Sequence, residues 1–253
     1  MLRYSYIRAG CSNQDNKTMK KPQTFFITGT DTDAGKTVIA CALLEKARQL
    51  RKTTLAIKPV ASGCKSTPEG LRNDDALALS KAMTLPLSYD EINPVAFELP
   101  VAPHIAAHQQ QLLLSPEQLA EKCSKTLQQY SADFALIEGA GGWRIPLAYA
   151  GNHYLSDLPK HLNIPIILVI GVKLGCINHA RLTVEAITAD GLHLAGWVAN
   201  NTDPHMLCFE ENIKTLQQVI PGNFLGYVPY LSEPSPEHIA NYLSIDMLEH
   251  VTI

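Results

Sequence analysis

No two cysteines form a C-x-x-C pair. The six present, Cys11, Cys41, Cys64, Cys123, Cys176 and Cys208, are scattered without the cysteine and histidine spacing of a zinc site. That excludes a disulfide framework or a zinc module and predicts reduced thiols in a reducing compartment, the cytoplasm. No apolar run reaches the roughly 18 residues that span a bilayer. The first 22 residues carry Arg3, Arg8, Lys17, Lys20 and Lys21 but no apolar stretch behind them, which excludes a secretory signal. A dense basic block is also missing: 21 Lys and Arg against 24 Asp and Glu leave a formal net charge of -3. Neither nucleic acid nor an anionic membrane is therefore an expected partner, and a small molecule is.

What is present fits one core. A chain of 253 residues, 46% of them hydrophobic, supports one substantial α/β domain and not two. Residues 23–253 read as that domain. Residues 1–22 read as a disordered extension, or as sequence ahead of a true start at Met19, which directly precedes Lys20-Lys21-Pro22.

β-branched and aromatic runs predict strands over Thr24–Thr28, Thr54–Ile57, Phe134–Ile137, Ile164–Ile170, Leu194–Ala199 and Phe224–Val228. Helical spacing predicts Lys36–Leu50, Asp74–Met83, Ser115–Tyr130, His179–Ala189, His205–Ile220 and Pro236–Leu248. Ser115, Pro116 and Gln118 supply an N-cap, a first-turn proline and the third-position partner of a capping box. Strands alternating with helices imply a mostly parallel central sheet covered on both faces, a three-layer architecture.

Four segments follow predicted strands and carry chemistry. Gly29-Thr30-Asp31-Thr32-Asp33-Ala34-Gly35-Lys36-Thr37 joins the first strand to the first helix. Backbone N–H groups and a helix N-terminus there would surround phosphate oxygens, Lys36 would neutralise β/γ charge, and Thr37 could reach Mg²⁺. A plain glycine turn with a solvated lysine is the alternative, and Thr30 stands where the ordinary pattern wants glycine. Lys58-Pro59-Val60-Ala61-Ser62-Gly63 ends the second strand, where open α/β sheets bind ligands, although a surface lysine would also suit that place. Glu138-Gly139-Ala140-Gly141-Gly142-Trp143 leaves a buried strand with a carboxylate suited to Mg²⁺, or forms a glycine hinge with an exposed glutamate. Gly171-Val172-Lys173-Leu174-Gly175-Cys176-Ile177-Asn178-His179 opens a helix whose N–H groups could hold a carboxylate. Asn73-Asp74-Asp75 reads as an N-cap with dipole-favoured carboxylates, or as a further metal ligand. His104 and His108 have a zinc-pair spacing without the glutamate of H-E-x-x-H, and Cys176 lacks a base; neither is expected to do chemistry.

Together with Thr67-Pro68-Glu69-Gly70-Leu71-Arg72-Asn73, these segments resemble the dethiobiotin synthetase family from about Phe25 to beyond Leu231. The resemblance implies a P-loop NTPase fold and an ATP-dependent cyclo-ligase. In that reaction one amine of 7,8-diaminononanoate is carboxylated by CO₂, the carbamate is phosphorylated, and the ureido ring closes. It further implies that Lys36 and Lys58 stabilise the phosphoryl group and that Thr37, Asp75 and Glu138 hold Mg²⁺. The nucleotide would be bound by Asp33, Ala34, Gly35, Lys36, Thr37, Val38, Asp75, Glu138, Gly139, Ala140 and Gly141. Asn200, Asn201, Pro229, Tyr230 and Leu231 would lie at its adenine end, with Glu237 on the ribose. Thr32 and Ser62 would contact substrate. Gly175, Cys176, Ile177 and Asn178 would bind its carboxylate across a homodimer interface. Asp33 and Tyr230 depart from the glutamate and tryptophan expected at those positions, and one residue is inserted between Leu231 and Glu237.

Two other readings share the fold. A partitioning-type switch ATPase would want an extra lysine near the start of the phosphate loop and a basic amphipathic helix at the C-terminus, which residues 234–253 do not provide. A glutamine-dependent amidase of cobalamin synthesis would want a further domain with a cysteine nucleophile.

Overall fold

Strand β1 (Gln23–Gly29) lies at the middle of a computed structural model that describes residues 23–151 and 153–250. Expectations for residues 1–22 lie outside the described residues. The other strands are β2 (Thr54–Ile57), β3 (Lys65–Thr67), β4 (Gly70–Arg72), β5 (Phe134–Glu138), β6 (Ile166–Val172), β7 (Leu194–Asn201) and β8 (Asn223–Val228). The helices are α1 (Lys36–Gln49), α2 (Asp74–Ala82), α3 (Tyr89–Ile92), α4 (Pro103–Gln109), α5 (Pro116–Gln129), α6 (Asp157–Leu162), α7 (Cys176–Ala189), α8 (Phe209–Val219) and α9 (Pro236–Ala240). Short 3-10 turns occupy Thr32–Ala34 and Asp246–His250.

Six strands form one parallel sheet in the order β2-β5-β1-β6-β7-β8, while β3 and β4 make a separate antiparallel hairpin. Alternate residues of each central strand enter different cores. Phe26, Ile137 and Leu168 face a core completed by α5, α6, α7 and α8, whereas Phe25, Leu136 and Val169 face one completed by α1, α2 and α9. This two-sided burial is why these strands read as near-continuous apolar runs rather than alternating ones. Each such side chain contributes about 1.5–3 kcal/mol on burial. The expected three-layer fold is present.

Several boundaries differ from expectation. Helix α7 starts at Cys176 and not His179, because Gly175 takes a left-handed φ of 93° and turns the chain directly off the strand. Helix α8 starts only at Phe209. The largest correction is α9, which stops at Ala240. Beyond it Leu243 pairs antiparallel with Gly226 of β8, and Leu243, Ile245 and Leu248 reach the core along an irregular path. Ser115 caps α5 by accepting the Gln118 N–H at 3.3 Å, its hydroxyl also donating to Glu117, but the reciprocal bond from the Ser115 backbone to the Gln118 side chain is not formed. A complete capping box appears at Ser88 and Glu91 of α3.

Among the described residues no helix is long and apolar enough to cross a membrane. Cys41, Cys64, Cys123, Cys176 and Cys208 are unpaired. His104 and His108 lie edge-on to the Tyr149 ring, with centroids 5.1 and 4.9 Å away.

Candidate active site

The parallel sheet delivers its loops to one edge, and the strand order decides which loops meet. β5, late in sequence, lies between β2 and β1, with Ile57 in register with Ile137 and Ile27 with Glu138. Lys58 leaves β2, Glu138 ends β5, and the phosphate loop leaves β1, so the three are neighbours.

The loop itself needs its glycines. Gly35 has φ 85°, and a Cβ there would lie 2.2 Å from the Asn200 amide nitrogen, which donates to the Ala34 carbonyl at 3.0 Å. Nothing but glycine fits that conformation and that approach together. Lys36 opens α1 and folds back so that its ammonium donates to the Asp31 and Thr32 carbonyls at 3.2 and 3.3 Å. These long bonds to neutral carbonyls are ones that anionic oxygens would displace. Burial, reinforced by the Lys58 charge, holds the Lys36 pKa below the usual lysine value. Asp31 accepts the Thr32 N–H at 2.8 Å and pairs with Lys173 at 3.0 Å. Chiefly through Lys173, its carboxyl is held below the ordinary range.

Lys58 is 4% exposed and Glu138 1%, so the alternatives of a surface lysine and an exposed glutamate are overturned. The Lys58 ammonium donates to Glu138 Oε1 at 2.6 Å, Asp75 Oδ2 at 3.1 Å and the Gly139 carbonyl at 3.2 Å. Burial alone would lower the Lys58 pKa, but Glu138 and Asp75 together outweigh it and raise the pKa above the usual value. Burial likewise pushes the Asp75 carboxyl up, and Lys58, with Thr37 and Lys36, outweighs this, so the net shift is downward. Asn73 sets Asp75 in place by capping α2 through the Ala76 N–H at 3.2 Å.

Thr37 donates to Glu138 Oε1 at 2.8 Å, so one carboxylate oxygen takes two hydrogen bonds. Glu138 Oε2 takes none, although it is buried, and the buried Ser62 Oγ is unpartnered as well. A buried acceptor without a donor costs roughly 1–3 kcal/mol unless something binds it. The Glu138 carboxylate, bonded through Oε1 to the Thr37 hydroxyl and linked by Lys58 to the Asp75 carboxylate, belongs to a donor set that fits Mg²⁺. No group of three or more His, Cys, Asp and Glu side chains suited to a metal occurs among the described residues. An ion here would therefore keep water or phosphate ligands.

A cleft of about 770 Å³ runs over these groups. Thr32, Asp33, Gly35, Lys36, Thr37, Val38, Lys58, Ser62, Asp75, Ala140 and Gly141 line it. Ala34 is buried beneath the loop, and Glu138 and Gly139 form the floor through their bonds to Lys58. Gly139 is required where it stands, because a Cβ would meet Phe26 Cζ at 2.9 Å. Asn200 touches the loop, whereas the Asn201 side chain accepts the Asp203 N–H at 3.0 Å. Pro229 and the exposed Tyr230 follow β8, with Leu231 packed on the α1 side of the sheet. Glu237 lies elsewhere, in a concavity of about 560 Å³ with Arg48 and Met83. Gly175, Ile177 and Asn178 line another, of about 590 Å³, beside the exposed Leu174 and Leu182. Cys176 is buried and its thiol pushed up by burial. A single chain thus assembles the phosphate and lysine groups but does not bring the Gly175–Asn178 turn to them.

Sequence reasoning missed the far wall, where Pro100, Ala102, Ile145 and Pro146 also line the cleft. It also missed the anchor of the glycine turn. Asp190 accepts the Trp143 indole N–H at 2.8 Å, both Arg144 guanidinium nitrogens at 2.6 and 3.0 Å, and Lys160 at 3.0 Å. Burial raises its carboxyl, but Arg144, Lys160 and Trp143 outweigh this and the pKa is lowered. The stabilisation is therefore present above the ordinary aspartate value of about 3.9 and is lost as pH falls through the lower folded value. Asp190→Asn is expected to cost about 2 kcal/mol near neutrality. In urea titrations the gap to the unmodified protein should narrow as pH drops below about 3.9; a gap independent of pH would assign the stabilisation to something other than the carboxylate charge.

Comparison with known proteins supplies the remaining context. The family model described as an AAA domain matches residues 23–238. The chain is 53% identical over 226 residues to the ATP-dependent dethiobiotin synthetase BioD of Cellvibrio japonicus, covering 89% of this chain and 97% of that one. To the protein of the same name from Pseudomonas paraeruginosa it is 51% identical over 221 residues, covering 87% and 96%. Among solved structures, a ParA family ATPase of Chlorobium tepidum superposes with a TM-score of 0.53 at 11% identity, covering 90% of this chain and 99% of that one. The signal recognition particle receptor FtsY of Elizabethkingia anophelis gives 0.56 at 12% identity, with 91% of this chain matched to 64% of the receptor. At those identities only the fold is shared.

Proposed function

Because the chain belongs to the ATP-dependent dethiobiotin synthetase family, we propose that the cleft over Lys36, Lys58 and Glu138 is where this ligase of biotin biosynthesis makes dethiobiotin. One amine of 7,8-diaminononanoate attacks CO₂, forming an N–C bond and losing a proton. A carbamate oxygen then attacks the γ-phosphorus of ATP as the bond to ADP breaks. The second amine attacks the carbonyl carbon and loses a proton, the C–O bond to phosphate breaks, and the ureido ring closes.

No step requires a protein nucleophile, so the chain's task is positioning and charge stabilisation. Lys36 and Lys58 face the charge that accumulates on the transferring group, and Thr32 and Ser62 hold the substrate or its carbamate. Asp33 to Val38, with Gly139, Ala140 and Gly141, cradle the phosphates. Asn200, Asn201 and Pro229 to Leu231 take the adenine end, while Glu237, which lies in a separate concavity with Arg48, is left out of the nucleotide site. Thr37, Asp75 and Glu138 would hold Mg²⁺, which when bound would draw charge from phosphate oxygens. The Gly175–Asn178 turn, which lines a separate concavity in one chain, serves the site of a second copy in a homodimer. The cytoplasmic location belongs to the same proposal and suits the unpaired thiols.

One observation supports this reading above the others: Lys58 and Glu138 from two strand ends and Lys36 and Asp75 from the first turns of two helices meet at a single cleft, with buried Ser62 Oγ and Glu138 Oε2 left unbonded. A switch that only hydrolyses nucleotide has no use for Ser62 beyond the phosphates.

The test is phosphate release from MgATP with and without 7,8-diaminononanoate and bicarbonate, followed by product mass. Release that needs the diamine, with a product heavier by one ring carbonyl, is expected. Release indifferent to the diamine would move the chain to the switch class. Asp75→Ala should raise the Mg²⁺ concentration needed for half-maximal rate, and an unchanged titration would remove Asp75 from the metal site.

A further inference from the structure

Lys58 and Asp75 must stay in register for their 3.1 Å contact, yet the chain between them does not enforce it. After β2 the backbone runs out through the exposed β3–β4 hairpin before returning as α2. Loops of this kind carry little positional information by themselves.

A second connection exists. Asn93, 3% exposed, donates from its amide nitrogen to the Lys58 carbonyl at 2.7 Å and the Val95 carbonyl at 3.2 Å. Its amide oxygen accepts the Tyr89 hydroxyl at 3.2 Å. The same hydroxyl accepts the Asn73 N–H at 2.7 Å, and the Asn73 side chain both caps α2 and donates to the Ser62 carbonyl at 3.4 Å. Three side chains, Asn93, Tyr89 and Asn73, thus link the backbones of the phosphoryl-facing lysine, the serine with an orphaned hydroxyl, and the helix turn bearing Asp75.

Further bonds hold the frame behind this arch. The Ser88–Glu91 capping box closes α3, and Glu91 accepts Tyr130 at 3.1 Å and Gln129 at 3.0 Å from the end of α5. The Lys58 N–H donates to the Ile92 carbonyl at 2.7 Å, and Ala61 pairs in parallel with Ala96. Arg72 stacks over the Tyr89 ring at 4.1 Å and ties the hairpin down from the other side.

We propose that Tyr89 and Asn93 are positioning residues that fix the separation of Lys58, Ser62 and Asp75 and thereby set the rate of phosphoryl transfer. The inference rests on the function proposed above and adds two residues that do not line the cleft. A shift of about 1 Å in such groups costs up to roughly a hundredfold in rate.

Tyr89→Phe keeps the ring and its contact with Arg72 but removes the hydroxyl. In the full-length enzyme, kcat is expected to fall by about tenfold, with KM for ATP and diamine nearly unchanged and the Mg²⁺ midpoint raised. Asn93→Asp, which keeps the acceptor for Tyr89 but loses both donations, should move kcat further in the same direction. A purely structural role would not split kcat from KM. Nor would it couple to Asp75: the Mg²⁺ midpoint of Tyr89→Phe with Asp75→Ala should equal that of Asp75→Ala alone. A kcat for Tyr89→Phe equal to the unmodified enzyme's, or midpoint shifts that multiply in the double variant, would overturn the inference. Absence of diamine-dependent phosphate release from the unmodified enzyme would overturn the functional reading instead, so the two failures are separable.

Discussion

Lys58→Met is expected to lower kcat by roughly two to three orders of magnitude, the usual loss when a donor aimed at transition-state charge is removed. The same substitution should destabilise the fold by about 3–5 kcal/mol, because it leaves a buried carboxylate without its cation. Glu138 is 1% exposed, and after the change only Thr37 would donate to it. The two losses have different causes and can be separated. Adding Glu138→Gln removes the uncompensated charge, so the double variant should regain most of its melting temperature and none of its turnover. Diamine-dependent phosphate release within a few fold of the unmodified enzyme in a folded Lys58→Met protein would remove Lys58 from the chemistry.

Lys36→Met should lose activity to a similar extent, roughly two to three orders of magnitude, while moving stability the opposite way. Its ammonium is buried, donates to the Asp31 and Thr32 carbonyls, and has its pKa depressed by burial and by Lys58. A lysine whose folded pKa is lowered penalises folding while it is charged. That penalty is complete below the depressed folded pKa and gone above the ordinary lysine value of about 10.4. The variant should therefore melt above the unmodified protein near neutrality, and the difference should shrink as pH rises toward the lysine range. A Lys36→Met protein that melts lower at neutral pH would mean that the loop carbonyls compensate the charge more fully than the geometry implies. Two lysines in one cleft thus have opposite stability signs: Lys58 is held by carboxylates, and Lys36 is held by carbonyls in readiness for phosphate.

Much of the site was legible because its pieces are local. Gly29 to Thr37 must turn sharply from a buried strand into a helix, and that requirement is written in Gly35 and in the apolar spacing after Lys36. Glu138 was legible as the end of a buried strand followed by glycines. The end of the chain was less so. Ile239, Ala240, Leu243 and Leu248 carry helical spacing, but the bridge from Leu243 to Gly226 draws the backbone away after Ala240, a tertiary pairing that overrides local pattern. Asp190, Tyr89 and Asn93 had no local signature of a role, since each acts on groups brought near only by folding. The Ser88–Glu91 spacing could have located α3, though not the use made of Tyr89.

By itself the sequence determined a parallel α/β core and the loops that carry chemistry. A strand covered on both faces must be a continuous apolar run, and a backbone that wraps phosphate must place glycine where no side chain fits. Only the tertiary structure decided which of those loops meet. β5 inserts between β2 and β1, and this order, set by helix crossovers packing on two faces of the sheet, puts Glu138 between Lys58 and Thr37. Nothing in the residues around Glu138 encodes that neighbourhood, because strand order depends on contacts between segments far apart in the chain.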